Sequence, residues 1–352
     1  MIGLIYILKR NIMFKDLDTL DKSRIYNIFI VRTPFQLINA YETKYFFKKN
    51  NAILIIIDNG TENNKHQLTN LIYDDVWEKV IRFGDENKSN FLNYIKLIKK
   101  LNKINIDSLF IGSGFNKMQQ VLVANINSKY TCFFDSGTNT MTTYNAFVEN
   151  NINFSALKKM RFKIFGLKTK IDKKIDFFTM FDLKELANHK IYKNNYEFMK
   201  NKFLDNSSNV ETKEIYIIGQ RFVNANILSA DNYSDFLNKV CLYYKDYKIN
   251  YLMHRTETDD FLIKYDFDKK MNIIKSEIPG ELFFLSLKNR PKYIIGTVST
   301  LLVSLKYIFP NIAVKSYKFD INSFNKNKEL YTLEYDNLKK NKVEIINFED
   351  SF

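Results

Sequence analysis

A chain of 352 residues is longer than one ordinary core holds and fits two α/β domains. Hydrophobic residues at 45% and charged residues at 26% exclude a disordered chain, and 10 Gly with 4 Pro exclude a collagenous, Pro-rich or turn-dense all-β one. The formal net charge of +14 calls for an anionic partner: nucleic acid, a membrane surface or an anionic substrate.

In chain order, residues 1–24 read as an N-terminal extension. Its apolar stretch Ile2–Leu8 has no charged region before it and no small-residue cleavage site after it. It therefore reads as a short helix or an alternative start, not a signal peptide. No apolar run reaches the roughly 20 residues that span a bilayer. Residues 25–185 form the first domain. Strand-like runs at Ile25–Val31, Ala52–Ile57, Lys79–Phe83, Ser108–Ile111 and Tyr130–Phe134 alternate with amphipathic stretches at Pro34–Lys48, His66–Asp75, Phe91–Lys103 and Asn116–Ile126. Short continuous apolar strands with helical connectors indicate a parallel sheet covered on both faces. Phe177–Phe181 reads as the last strand of this domain, and 186–212 as a helical linker.

A second α/β series occupies 213–324. Its strands are expected at Glu214–Gly219, Ile249–Met253, Met271–Ile274, Lys292–Ile295 and Ile312–Val314, and its helices at Tyr233–Tyr244, Asp259–Lys264, Gly280–Lys288 and Ser299–Ile308. Two Rossmann-like halves facing a central cleft make the two-domain architecture called GT-B. The charged tail 325–352 reads as ending in a helix packed across the domains. Cys132 and Cys241, in a strand-like and a helix-like run, read as buried free thiols suited to a reducing cytoplasm. His66, His189 and His254 share no ligand spacing with them, so no metal site is expected.

Ligands of open α/β sheets bind beyond the carboxyl ends of strands, which singles out four stretches. Thr33-Pro34-Phe35-Gln36 follows the first strand, and plain helix capping explains Thr33 and Pro34. Asp135-Ser136-Gly137 follows the fifth; Asp135 reads equally as a helix cap on a Gly turn and as a proton acceptor. His254-Arg255 ends a strand of the second half; a lone His is more often structural than catalytic, but here an imidazolium beside a guanidinium can neutralise a phosphate. Gly296-Thr297-Val298-Ser299-Thr300 leads into an apolar helix whose start is an ordinary Ser/Thr cap or an anion site. Neither GxxxxGK[ST] nor GxGxxG accompanies it, against an NTPase or a dinucleotide enzyme.

The order of these stretches resembles the bacterial sialyltransferases, the group of glycosyltransferase family 52 and the polysialyltransferases. These carry a T/S-P-x-Q element, a D/E-D/E-G motif, a His motif and a Ser/Thr pair. Thr33-Pro34-Phe35-Gln36, Asp135-Ser136-Gly137, His254-Arg255 and Ser299-Thr300 match in that order, and Ile217-Ile218-Gly219-Gln220 resembles the start of the family's donor domain. Ser136 stands where the family has a second acid. The resemblance implies inverting, metal-independent transfer of a nonulosonic acid from a CMP-activated donor, CMP-sialic acid or a relative, which is a co-substrate and not a cofactor. It implies Asp135 as base and His254 at the leaving phosphate. Gly219, Gln220, Arg255, Thr297, Ser299 and Thr300 fall on the donor side, and Thr33, Pro34, Gln36, Ser136 and Gly137 on the acceptor side. The acceptor it implies is a glycan of capsule or lipooligosaccharide, in some relatives lipid-linked, at the cytoplasmic face of the inner membrane. Other readings are a GT-B transferase using another nucleotide sugar and a catalytically inactive protein that binds glycans or anionic surfaces. A nucleic-acid binder lacks any recognised signature. The basic, amphipathic stretch 157–174 fits an anionic leaflet, a solvated helix packed on the first domain, or a groove for an anionic acceptor.

Overall fold

Ile25–Val31 (β1) is an unbroken apolar run exposed only at its first residue, and Ala52–Ile57 (β2) is buried throughout. Runs of this kind are covered on both faces, which a parallel sheet flanked by helices provides. The computed structural model describes residues 16–57, 60–73, 75–83, 91–112, 117–148, 154–204 and 212–348. Ile2–Leu8, Asn116, 205–211 of the expected linker and the end of the tail from 349 lie outside the described residues.

Two compact units divide the chain: one contains the described residues up to Thr179 together with Leu183–Asn194, the other Met180–Asp182 and the residues from Asn195 on. In the first, β1 and β2 are joined by helix α1 (Pro34–Phe46), and β2 is followed by α2 (Glu62–Asn70) and β3 (Lys79–Phe83). Then come α3 (Phe91–Leu101), β4 (Asn105–Gly112), α4 (Lys117–Asn125), β5 (Tyr130–Phe134), α5 (Asn139–Val148), α6 (Ala156–Ile164), β6 (Asp176–Thr179) and β7 (Ile191–Lys193). The seven strands lie in the order β3-β2-β1-β4-β5-β6-β7, every pair parallel. Ile28, Ile30, Ile53, Ile55, Leu109, Ile111, Phe133 and Phe177 build its core on one face. On the other, Phe29 stacks on Phe110 with ring centroids 4.7 Å apart.

The second unit runs α7 (Glu197–Phe203), β8 (Glu214–Ile218), α8 (Ala230–Tyr243), β9 (Lys248–Leu252), α9 (Asp260–Lys264), β10 (Asn272–Ile274), α10 (Gly280–Ser286), β11 (Tyr293–Gly296), α11 (Thr300–Ile308), β12 (Ala313–Lys318), α12 (Lys328–Lys340) and β13 (Glu344–Asn347). Its order is β10-β9-β8-β11-β12-β13, again all parallel. In both sheets the first strand lies beside the fourth, with the second and third on its other side. This is the Rossmann order, with a topological switch point between strands one and four. Two such units in succession are the GT-B fold.

Three expectations change. The linker begins later than residue 186, because Ile191–Lys193 is a strand paired with β6, with Phe177 opposite Ile191. The lead-in to that strand is held where Asp176 Oδ1 accepts the Lys190 N–H at 2.9 Å. The tail does not end in a helix among the described residues: α12 is followed by β13, which pairs with β12 and completes the second sheet. There the Tyr335 hydroxyl accepts the Phe319 N–H and donates to the Tyr317 carbonyl, both at 3.2 Å. The helix expected over His66–Asp75 begins at Glu62 and ends at Asn70.

Candidate active site

The sequence-singled residues of the first unit gather at its switch point. Thr33 has extended backbone and its side chain accepts the Gln36 N–H at 3.2 Å, while Pro34 fills the first helical position of α1. Gln36 is buried. Its carboxamide oxygen accepts the Arg32 N–H at 2.7 Å, and its amide donates to Ser136 Oγ at 2.5 Å. The side chain crosses the end of β4 at Gly112, where any Cβ would collide with it. One glutamine thus ties the ends of β1 and β5 together. The Ser136 N–H donates to Thr140 Oγ1 at 2.8 Å, and Gly137 takes φ +71°, a left-handed turn that favours glycine.

Asp135 does not emerge onto that turn. It is fully buried, and Thr179 Oγ1 at the end of neighbouring β6 donates to its Oδ1 at 2.5 Å. Parallel pairing of β5 with β6 brings the two together.

In the second unit, Gly219 follows β8 and its N–H donates to the Leu252 carbonyl of β9 at 2.8 Å. A Cβ at Gly219 would stand 2.6 Å from Glu257 Oε2 and 2.8 Å from the Tyr251 ring. Glycine therefore makes room for a relay. The Tyr233 and Tyr251 hydroxyls are 3.0 Å apart, Tyr251 donates to Glu257 Oε1 at 2.7 Å, and Glu257 Oε2 accepts the His254 N–H at 3.0 Å. His254 Nδ1 accepts the Thr256 N–H at 3.3 Å and lies 3.0 Å from Thr256 Oγ1. A backbone N–H can only donate, so the proton of the neutral ring sits on Nε2. Gln220 is half-buried and Arg255 exposed.

The end of β11 forms the other side of this switch point. Thr297 is buried and its hydroxyl has no hydrogen-bond partner among the described residues, while its carbonyl accepts Ser316 Oγ at 2.5 Å. An unpartnered buried hydroxyl is an unusual expense in a folded chain. Ser299 caps α11 by accepting the Leu301 N–H at 3.3 Å, and Thr300 is its half-buried first residue. The start of α10 lies against that helix: a Cβ at Gly280 would collide with Leu301, and buried Glu281 accepts Ser304 Oγ at 2.7 Å.

Electrostatics corrects one expectation. Burial, aided by the charges of Arg255 and Arg221, pushes the His254 pKa down to about 4. At neutral pH this is an imidazole with an Nε2–H to donate and not an imidazolium, and the positive charge belongs to the two arginines. Burial pushes Glu257 up to about 7 against its bonds from Tyr251 and His254, and raises Glu281 as well. The structure thus assembles Gly219, Gln220, His254, Arg255, Thr297, Ser299 and Thr300 around adjacent strand ends of one sheet, and Thr33, Pro34, Gln36, Ser136 and Gly137 around the other. Sequence reasoning missed Tyr251, Thr179 and Glu281 and offered Glu257 only as an alternative base should Asp135 be a cap. The carboxylate three residues past His254, and the Gly-Glu before an apolar helix, were the available signals.

Among solved structures, the chain is similar to a UDP-N-acetylglucosamine 2-epimerase from Listeria monocytogenes described as putative. The two are 12% identical over 90% of this chain and 89% of that one, with a TM-score of 0.50, a likeness of fold alone. A UDP-GlcNAc 2-epimerase from Neisseria meningitidis bound to UDP-GlcNAc is 12% identical over 92% and 95%, TM-score 0.48. The ADP-heptose lps heptosyltransferase II of E. coli is 10% identical over 91% and 90%, TM-score 0.42. No curated protein matches the chain. The family of alpha-2,8-polysialyltransferases matches residues 27–318, a span that runs from β1 to the end of β12 and includes every motif described above, and the chain belongs to that family.

Proposed function

We propose that this glycosyltransferase moves sialic acid or a related nonulosonic acid from a CMP-activated donor to a glycan acceptor, with inversion and without a metal, in capsule or lipooligosaccharide assembly. The observation that carries the reading is the set of hydrogen-bond donors and cationic side chains at neighbouring strand ends of the second sheet. The ends of the neighbouring strands β9, β8 and β11 carry a neutral histidine with its proton on Nε2, the buried Thr297 hydroxyl, which has no hydrogen-bond partner among the described residues, and the Ser299-capped start of α11, with Arg221 and Arg255 supplying charge beside the histidine. Donors of this kind stabilise charge that develops on a leaving phosphate. Gly219 and Gln220 line the same edge.

The acceptor oxygen attacks the anomeric carbon on the face opposite the nucleotide. The bond from that carbon to the phosphate oxygen breaks, its electron pair leaves with CMP, and the acceptor proton passes to Asp135. His254 donates its Nε2 hydrogen bond to the departing phosphate, and Ser299 and Thr300 hold its oxygens. Thr179 fixes the carboxylate of Asp135. Because that carboxylate is buried, acceptor binding has to shift the 136–138 turn, which Gln36 anchors through Ser136. The reaction takes place in the cytoplasm.

The test is incubation of the full chain with CMP-sialic acid and a sialylated oligosaccharide in EDTA, beside a thermal-shift panel of CMP, CDP, UDP and GDP. Transfer in EDTA and stabilisation by CMP but not by UDP or GDP are expected. An equal shift with UDP would transfer the reading to another nucleotide sugar, and nucleotide binding without turnover would point to an inactive glycan-binding protein.

A further inference from the structure

Helix α6 carries two faces that the rest of the molecule treats differently. Phe162 is 5% exposed and packs edge-on to Phe154 and against Phe91, with centroids 5.8 and 5.2 Å away. Phe162 anchors the helix to the first unit, with Phe165 just past its end also against Phe91, centroids 5.5 Å apart. On the opposite side Leu157, Met160 and Ile164 are 76%, 57% and 73% exposed. Their spacing of three and four residues places them on one stripe. A packed amphipathic helix turns its apolar stripe inward; here three large apolar side chains face out. Lys158, Lys159 and Lys163 are exposed on the flanks between the stripe and Phe162 and form no ion pair among the described residues. Arg161 rests on the Phe91 ring, 3.9 Å from its centroid. The downstream Lys173 is engaged inside the fold, donating to the Ile126 carbonyl at 2.9 Å, so the basic character at the surface concentrates on α6 and its C-terminal side.

We propose that α6 lies on the surface of an anionic lipid bilayer, with Leu157, Met160 and Ile164 entering the acyl boundary and Lys158, Lys159 and Lys163 meeting lipid phosphates. Charge and apolarity decide the occupant together. A soluble polyanion would satisfy the lysines and leave the stripe in water. A second copy of the chain would bury the stripe by setting lysines against lysines. An anionic bilayer satisfies both at once. No helix among the described residues is long and apolar enough to cross a membrane, so the contact is made in the plane of the surface.

The experiment is flotation of the full chain with phosphatidylglycerol–phosphatidylcholine vesicles and with pure phosphatidylcholine vesicles. It needs neither donor nor acceptor, so its outcome is separate from that of the proposed transfer. Flotation with the anionic vesicles is expected, weakening in high salt as screening shortens. Lys158→Gln, Lys159→Gln and Lys163→Gln together should lower the partition coefficient by about 100-fold, roughly fivefold per lysine. Leu157→Asn, Met160→Asn and Ile164→Asn together should lower it at least tenfold while thermal unfolding stays unchanged, since all three sites are exposed. Three outcomes would overturn the proposal: no flotation, equal flotation with neutral vesicles, or wild-type flotation of the Asn variant. So would a concentration-dependent dimer abolished by the Asn variant in the absence of lipid binding.

Discussion

Glu257 accepts the backbone N–H of His254 at 3.0 Å, and the two side chains are pushed by burial in opposite directions, His254 down to about 4 and Glu257 up to about 7. Each shift links folding to pH. For His254 the folded value lies below the ordinary 6.5, so its contribution is complete above pH 6.5 and is lost as pH falls toward 4. For Glu257 the folded value lies above the ordinary 4.5, so its contribution is complete below pH 4.5 and is lost as pH rises through 7. Between those limits the two oppose one another.

Relative to wild type, Glu257→Gln should therefore gain stability between pH 5 and 7.5, and His254→Asn should lose it over the same interval. Each divergence is on the order of 1–3 kcal/mol. Urea midpoints at the two pH values measure it, and parallel profiles for all three proteins would refute the opposed titrations.

Asp135→Asn keeps the shape of the side chain and removes the base. Transfer should fall on the order of 100- to 10,000-fold while CMP binding is nearly unchanged. Thr179→Val deletes the hydroxyl that donates to the carboxylate. Turnover should then fall while CMP binding is nearly unchanged, because the carboxylate loses the donor that fixes it. Near wild-type turnover of Asp135→Asn would turn attention to Glu257 or Asp259 as the base.

His254→Ala should slow turnover and weaken CMP binding together, since the Nε2–H acts on the phosphate both before and during bond cleavage. Full retention of CMP affinity in this variant, or a strict requirement for Mg²⁺ or Mn²⁺, would contradict the role given to it.

Gly112→Ala should destabilise the first unit by about 1–3 kcal/mol, because the new methyl displaces Gln36 and breaks its bonds to Arg32 and Ser136. Adding Gln36→Ala removes the obstructing group. The double variant should then lose less than the sum of the two single changes, and strict additivity in thermal unfolding would argue against the contact.

The amino-acid sequence by itself determined what short stretches settle locally. Unbroken apolar runs such as Ile25–Val31 and Ala52–Ile57 made buried parallel strands unavoidable. Thr33-Pro34 and Ser299 set helix starts through groups within three residues of themselves. β7 and β13 escaped because they are short and only half-buried or exposed, so no apolar run marks them. The site needed the tertiary structure. Gln36 meets Ser136 across 100 residues, Thr179 meets Asp135 across 44, and Glu257 reaches Gly219 only because β8 and β9 are neighbours in the sheet. Strand order decides which chain ends share a switch point, and hydrophobic patterning within a strand carries no record of that order. The protonation state of His254 belongs to the same category. Its sequence neighbour Arg255 hinted at an anion site, but burial, a property of the folded surroundings, is the largest influence that makes the ring neutral.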